Sequence, residues 1–199
     1  MSGSPTPQWS FSQPDQEQVA TFLQQQKEQK FSYKEVNQTY GAPPRGYDYD
    51  DNEIQIGEGD DDYTKAREAL LAWRMFPTAW TKISVLDDEP IAQGTTIAMQ
   101  ARALGIWWMN ACRVAYTIDE HEPVRRFGFA YGTLPAHVEQ GEELFSIEQW
   151  ADGTVWYRIQ AFSRPRFWPV RMAQPIARLL QRKFVRDSQA AMVNLMRDA

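Results

Sequence analysis

The sequence predicts one α+β domain: a curved antiparallel sheet of seven strands wrapped on a long C-terminal helix, with an additional helix near the N-terminus. The prediction rests first on a change of period. Residues 79–163 break into six successive runs rich in β-branched and aromatic residues. After Pro165 and Pro169 the period becomes helical, and Ala173, Ile176, Ala177, Leu180, Phe184, Ala191, Met192 and Leu195 form one stripe. A chain of 199 residues with 43% hydrophobic content can also bury roughly 70% of its unfolded surface around a single core.

Residues 1–14 are rich in Ser, Pro and Gln and read as a mobile lead-in, which leaves 15–199 as the domain. From Asp15 to about Lys30 the apolar positions Val19, Phe22 and Leu23 recur at helical spacing, and Pro14 suits the first turn. The prolines and glycines of Tyr40–Tyr47 require a loop, and a short strand follows at 53–59. Ala66, Ala69, Leu70 and Trp73 mark a second helix over 62–75, with Asp60–Asp62 offering capping oxygens and Pro77 closing it.

The six strand runs fall near 79–86, 94–104, 106–119, 124–132, 142–151 and 154–163, and Asp152-Gly153 supplies a two-residue hairpin turn. A meander is the economical arrangement. Its apolar face must be covered, and the C-terminal helix is the late element long enough to do so. Beside that helix's stripe, Arg171, Arg178, Arg182 and Arg186 form a row that reads as a solvated face pairing with acidic neighbours.

Composition excludes several classes of function. A net charge of −5 is the wrong sign for a general phosphate-binding surface, so nucleic acid is not an expected partner. Cys112 is the lone cysteine, and with only His121 and His137 beside it there is no zinc-spaced ligand set. The N-terminal residues lack the basic and apolar regions of a secretory signal, and no window holds 18 consecutive apolar residues. A soluble, cytoplasmic protein without membrane insertion is expected, and no cofactor is implied. The acidic positions Asp48, Asp50, Asp51, Glu53, Glu58, Asp60, Asp61 and Asp62 do not follow calcium-loop spacing and read as a solvated edge.

The order of elements resembles the helix-grip superfamily, which includes START lipid-transfer domains, aromatic polyketide cyclases and pathogenesis-related pollen allergens. That resemblance implies an elongated apolar cavity between sheet and helix. A closer resemblance, to the domain-of-unknown-function family numbered 1990, rests on six stretches. They are Tyr40-Gly-Ala-Pro-Pro-Arg-Gly-Tyr47, Ile56-Gly-Glu-Gly59, Cys112-Arg-Val114, Gly128-Phe-Ala-Tyr-Gly-Thr-Leu-Pro135 with His137, Gly141-Glu-Glu-Leu-Phe145 and Ala161-Phe-Ser-Arg-Pro165. The similarity covers most of residues 30–199 and implies a fold without carrying over any catalytic residue.

Strand alternation selects the residues able to face such a cavity. Val155, Tyr157, Ile159, Ala161 and Ser163 share one parity, as do Glu143, Phe145 and Ile147; Phe127, Phe129 and Tyr131; and Cys112, Val114 and Tyr116. A bulge in a strand would reverse its parity. The candidate ligand-binding set is therefore Tyr116, Phe129, Tyr131, Glu143, Phe145, Tyr157 and Ser163, a mostly apolar wall with few polar anchors. A desolvated Glu143 is a candidate general acid or base, and His137 a candidate base or metal ligand near Glu139, Glu142 and Glu143. Set against these roles, Glu143 can instead pair with Arg113 or Arg164, and His137 can simply fix a loop. Cys112 reads as a buried small hydrophobe. The tryptophans Trp107, Trp108, Trp150, Trp156 and Trp168 divide between the two faces of the sheet.

Three functional classes follow. The first is a binding or carrier protein for a hydrophobic small molecule, lipid-like or aromatic. The second is an enzyme of cyclase, dehydratase or hydrolase type using the same cavity, which also needs positioned acid–base groups that the sequence does not clearly supply. The third is an interaction scaffold with a filled core.

Overall fold

The computed structural model describes residues 6–166 and 174–197. Eight strands, β1 (Gln8–Ser10), β2 (Asp48–Glu58), β3 (Thr81–Val85), β4 (Thr96–Ala103), β5 (Ile106–Glu120), β6 (Arg125–Thr133), β7 (Glu139–Gln149) and β8 (Thr154–Pro165), form one antiparallel sheet. Among the described residues three helices pack on it: α1 (Gln16–Gln26), α2 (Gly59–Leu71) and α3 (Gln174–Arg197). The expected helix-grip architecture is present. Pro169, Arg171, Ala173 and Trp168 lie outside the described residues.

Strands β3 to β8 follow one another as the predicted meander, and β2 pairs with β8 at the far edge, giving the order β2-β8-β7-β6-β5-β4-β3. Because β2 and β3 occupy opposite edges, the chain between them has to cross the sheet, and α2 makes that crossing. Within the expected lead-in, Gln8–Ser10 is a short strand that pairs Trp9 with Trp108 on β5, just beyond the point where β6 ends at Cys112↔Thr133. The free edge of β5 at that point leaves backbone donors and acceptors for β1 to meet.

Both faces of the sheet are covered, where one covered face was expected. On the inner face, α2 and the C-terminal half of α3 bury Tyr63, Ala66, Leu70 and Met192 against Phe127, Phe129, Phe145, Ile147 and Tyr157. On the outer face, Val19, Phe22 and Leu23 of α1 pack on Ala98, Met109, Ala111 and Leu134. Asp15 and Gln18 close a reciprocal capping box at the start of α1. At its end Arg113 donates to the carbonyls of Gln26, Lys27 and Gln29 at 3.0, 2.6 and 2.7 Å, supplying the last turn with the donors it lacks. The expected pairing of Arg113 with Glu143 therefore does not form.

The segment after α1 is fixed to the outer face by one carboxylate. Glu142 is 3% exposed and accepts from the Tyr33 hydroxyl at 2.8 Å, the Asn37 amide at 2.9 Å, the Thr39 amide at 3.0 Å and the Thr39 hydroxyl. Four donors offset the cost of removing the charge from water.

Two acidic positions expected to form a solvated edge, Asp50 and Asp51, are paired, and the arginine row pairs with acidic neighbours as expected at Arg178. Arg178 makes a two-point contact with Asp50 at 2.8 and 3.1 Å, and Arg158 does the same with Asp51 at 2.8 and 2.6 Å. Between β7 and β8, Gly141 has a φ of +156°, and a Cβ there would lie 2.0 Å from the Phe162 carbonyl oxygen. Gly141→Ala should therefore cost roughly 2–4 kcal/mol, read as a lowered urea midpoint at unchanged slope. Gly153→Ala, at φ +86° but in open space, should cost only about 1 kcal/mol.

Candidate functional site

Cross-strand register builds the site. A transverse row on the inner face runs Asp50 on β2, Ala161 on β8, Glu143 on β7, Tyr131 on β6 and Val114 on β5, each opposite the next. The row on one side of it is Asn52, Ile159, Phe145 and Phe129, and the one after that is Ile54, Tyr157, Ile147 and Phe127. Those two rows are filled, except that Asn52 and Ile159 border the cavity. Phe129, Phe145, Phe76 and Phe184 form an aromatic cluster with ring centroids 5.4–6.3 Å apart, within the range of favourable aromatic pairing.

From the Glu143 row toward its other side the side chains shrink. Ala101, Ala103, Gly141, Ala161 and Thr133 from the sheet and Ala177 from α3 leave a cavity of about 380 Å³, with Phe184 at its packed end and Leu104 and Ile176 exposed at its rim. Met99, Trp80, Trp108, Leu180 and Val185 complete an apolar lining. The space lies between the sheet and the N-terminal half of α3, whose C-terminal half is docked through Ser188 and Met192.

Tyr131, Glu143, Ser163 and His137 line this cavity. Phe129 and Phe145 lie one row away in the aromatic cluster, and Tyr157 lies beyond them, its hydroxyl 2.8 Å from that of Ser188. Tyr116 is on the opposite face. The register shifts between Val114 and Tyr116, so Tyr116 lies with Ile118, Ala130 and Leu144, away from the cavity. That bulge is why alternation from Cys112 and Val114 misplaces it.

Sequence reasoning missed Glu139, Gln181 and Asn110 as lining groups. Strand β7 begins at Glu139 rather than near 142, and carrying the parity of Glu143 back four residues reaches it. Gln181 lies one helical turn after Ala177. Its amide donates to both Glu139 oxygens at 2.8 Å and to the Ser163 hydroxyl at 3.0 Å, while Arg178 donates to its oxygen at 2.9 Å. With the Arg178–Asp50 pair, this polar set ties α3 to β2, β7 and β8 at the edge of the cavity.

The electrostatics of the cavity follow from burial. The Tyr131 hydroxyl donates to Glu143 Oε2 at 2.6 Å, which lowers the carboxyl's pKa, but desolvation dominates and raises it to about 7, with the Glu139 and Asp50 charges adding to the rise. Burial also raises Glu139 and, well above its ordinary value, the Tyr131 phenol, which stays a proton donor. His137 is pushed down to about 4 by burial and accepts the Glu139 amide at Nδ1, 2.9 Å away. It is neutral at pH 7 and orders the turn into β7. Burial raises the Cys112 thiol well above its ordinary value, which removes it as a nucleophile. Among the described residues, no three His, Cys, Asp or Glu side chains gather to hold a metal ion, and no helix is long and apolar enough to cross a membrane.

Residues 32–191 match the family described as "Domain of unknown function (DUF1990)". The chain belongs to that family. A "UPF0548 protein" of Dictyostelium discoideum is 32% identical over 197 residues, covering 89% of this chain and 91% of that one. A second, from Deinococcus radiodurans, is 33% identical over 183 residues and covers 87% and 91%. Among solved structures, the hypothetical protein jhp0584 of Helicobacter pylori aligns over 74% of this chain and 86% of its own at a TM-score of 0.52. At 12% identity that likeness is one of fold. The cavity residues named above fall within the DUF1990 match, whereas α1 precedes it.

The two perturbed groups affect stability with opposite signs. Glu143 keeps its proton to about pH 7 when folded and to 4.5 otherwise, so the folded protein binds more protons in that window and stability falls as pH rises through it. His137 titrates near 4 when folded and 6.5 otherwise, so the unfolded chain binds more protons and stability rises from pH 4 to 6.5. The stability difference between wild type and Glu143→Gln isolates the carboxyl and should decline by about 3 kcal/mol from pH 4.5 to 7. Urea unfolding of both proteins at several pH values measures it, and a flat difference would mean a water-exposed carboxyl.

Proposed function

We propose that this DUF1990 protein is a cytoplasmic binding or carrier protein for a hydrophobic small molecule, lipid-like or aromatic, held between the sheet and the N-terminal half of α3. The observation that carries the reading is the 380 Å³ apolar cavity beside the Glu143 row, within the usual size of small-molecule sites. Tyr131, Glu143, Ser163 and Asn110 supply the few polar anchors such a site needs for orientation. An interaction scaffold with a filled core is less well supported, because small residues line the space from both sheet and helix.

A second reading, an enzyme of cyclase, dehydratase or hydrolase type, draws on Glu143 itself. A carboxyl titrating near 7 beside a phenol donor is suited to proton transfer at neutral pH. On that reading Glu143→Gln should lower turnover roughly 10²–10⁴-fold while binding persists. On the carrier reading neither protein turns anything over.

Thermal-shift measurement against an apolar library tests the binding reading. A ligand at 100 times its Kd should raise Tm by roughly 5–10 °C, since it binds only the folded chain. Ala161→Phe, which puts a ring into the cavity beside Glu143, should keep the fold and abolish the shift. A ligand that stabilises both proteins equally would be binding elsewhere.

A further inference from the structure

Resting on the binding reading above, the charge of the cavity wall narrows the class of ligand. Glu143 Oε2 is occupied by the Tyr131 hydroxyl, and among the described residues no donor reaches Oε1. Ala161, its neighbour across β8, is small enough to leave the carboxylate open to the cavity. The remaining lining residues that carry a carboxylate are Glu139, Asp50 and Glu142, the last with its oxygens engaged by Tyr33, Asn37 and Thr39, and no Lys or Arg is among the described lining residues.

The titratable groups acting on Glu143 or feeling its charge are Tyr131 from β6, Glu139 from β7, Asp50 from β2, Cys112 from β5 and Tyr157 from β8. None of them is basic. From α3, Arg178 is engaged at two points by Asp50. A carboxylate facing an apolar space with one neutral donor has unmet acceptor capacity, and a desolvated cation would satisfy it best.

We propose that the cavity selects a hydrophobic amine: an apolar body lying along the Met99, Trp108, Leu180 and Val185 lining, with one protonated nitrogen on the free oxygen of Glu143. A ligand ending in a carboxylate is disfavoured, because it would bring a further negative charge beside Glu143 and Glu139. A neutral alcohol can donate one hydrogen bond to Glu143 but gains no ion pairing.

The pH dependence of such binding has a defined sign. An alkylamine stays protonated through neutral pH, whereas the fraction of ionised Glu143 rises from about one tenth at pH 6 to about nine tenths at pH 8 for a midpoint of about 7. Amine affinity therefore strengthens as pH rises, and binding near pH 6 releases a proton from Glu143.

The test uses three probes with one apolar body, phenylbutylamine, phenylbutanol and phenylbutyrate, titrated calorimetrically into the wild-type protein at pH 6 and pH 8. The expected result is amine binding at least tenfold tighter than alcohol at pH 8, roughly tenfold tighter at pH 8 than at pH 6, and no measurable butyrate binding. The pH 6 heats should vary with the buffer's ionisation enthalpy, reporting the released proton. Glu143→Gln should bring the amine down to the alcohol's affinity and remove its pH dependence. Equal binding of amine and alcohol, or tighter binding of butyrate, overturns the amine assignment and leaves an apolar binding site. Failure of all three probes to bind overturns both.

Discussion

Alternation along β7 sends two adjacent carboxylates, Glu142 and Glu143, to opposite faces of one sheet, and their surroundings differ sharply. On the outer face Glu142 accepts four hydrogen bonds from Tyr33, Asn37 and Thr39, so its charge is balanced and the segment after α1 is held down. On the inner face Glu143 accepts one, from Tyr131, and otherwise meets a cavity. The first is a structural anchor. The second keeps unused capacity to accept a hydrogen bond, and burial, with the nearby Glu139 and Asp50 charges, raises its pKa to about 7.

The cavity exists because the inner face changes side-chain size along its strands. At one end Phe76, Phe129, Phe145 and Phe184 interlock, and α2 and the C-terminal half of α3 close over them. At the other end alanines, glycine and threonine face Ala177 on the helix, and among the described residues no large side chain bridges the gap. The helix is held over that gap by polar ties, Arg178 to Asp50 and Gln181 to Glu139 and Ser163. Such contacts position a helix while leaving the apolar interior unfilled.

Most of the fold was legible in the sequence because period is a strong local signal. The meander from β3 to β8, both later helices and the inward parity of Glu143, Phe145 and Tyr131 all follow from alternation and helical spacing. Three features were not legible. Tyr116 was misplaced by a bulge that no composition rule marks, Glu139 by a strand that starts three residues early, and Gln8–Ser10 by pairing with a distant edge of β5. Each depends on contacts between residues far apart in the chain. The cavity itself was visible only as a scatter of small residues whose meeting requires the register.

The proposed binding site depends most directly on Glu143 being a desolvated carboxyl with one donor, Tyr131, among the described residues. Carbon-13 NMR titration of its side-chain carboxyl in the ligand-free protein measures this without any assumption about the ligand. A midpoint near 7 is the predicted result, with the shift accompanied by a change at the Tyr131 ring as its hydrogen bond responds. A midpoint at the ordinary value of 4.5 would contradict this, because the carboxylate would then be solvated rather than set in the apolar wall beside Ala161.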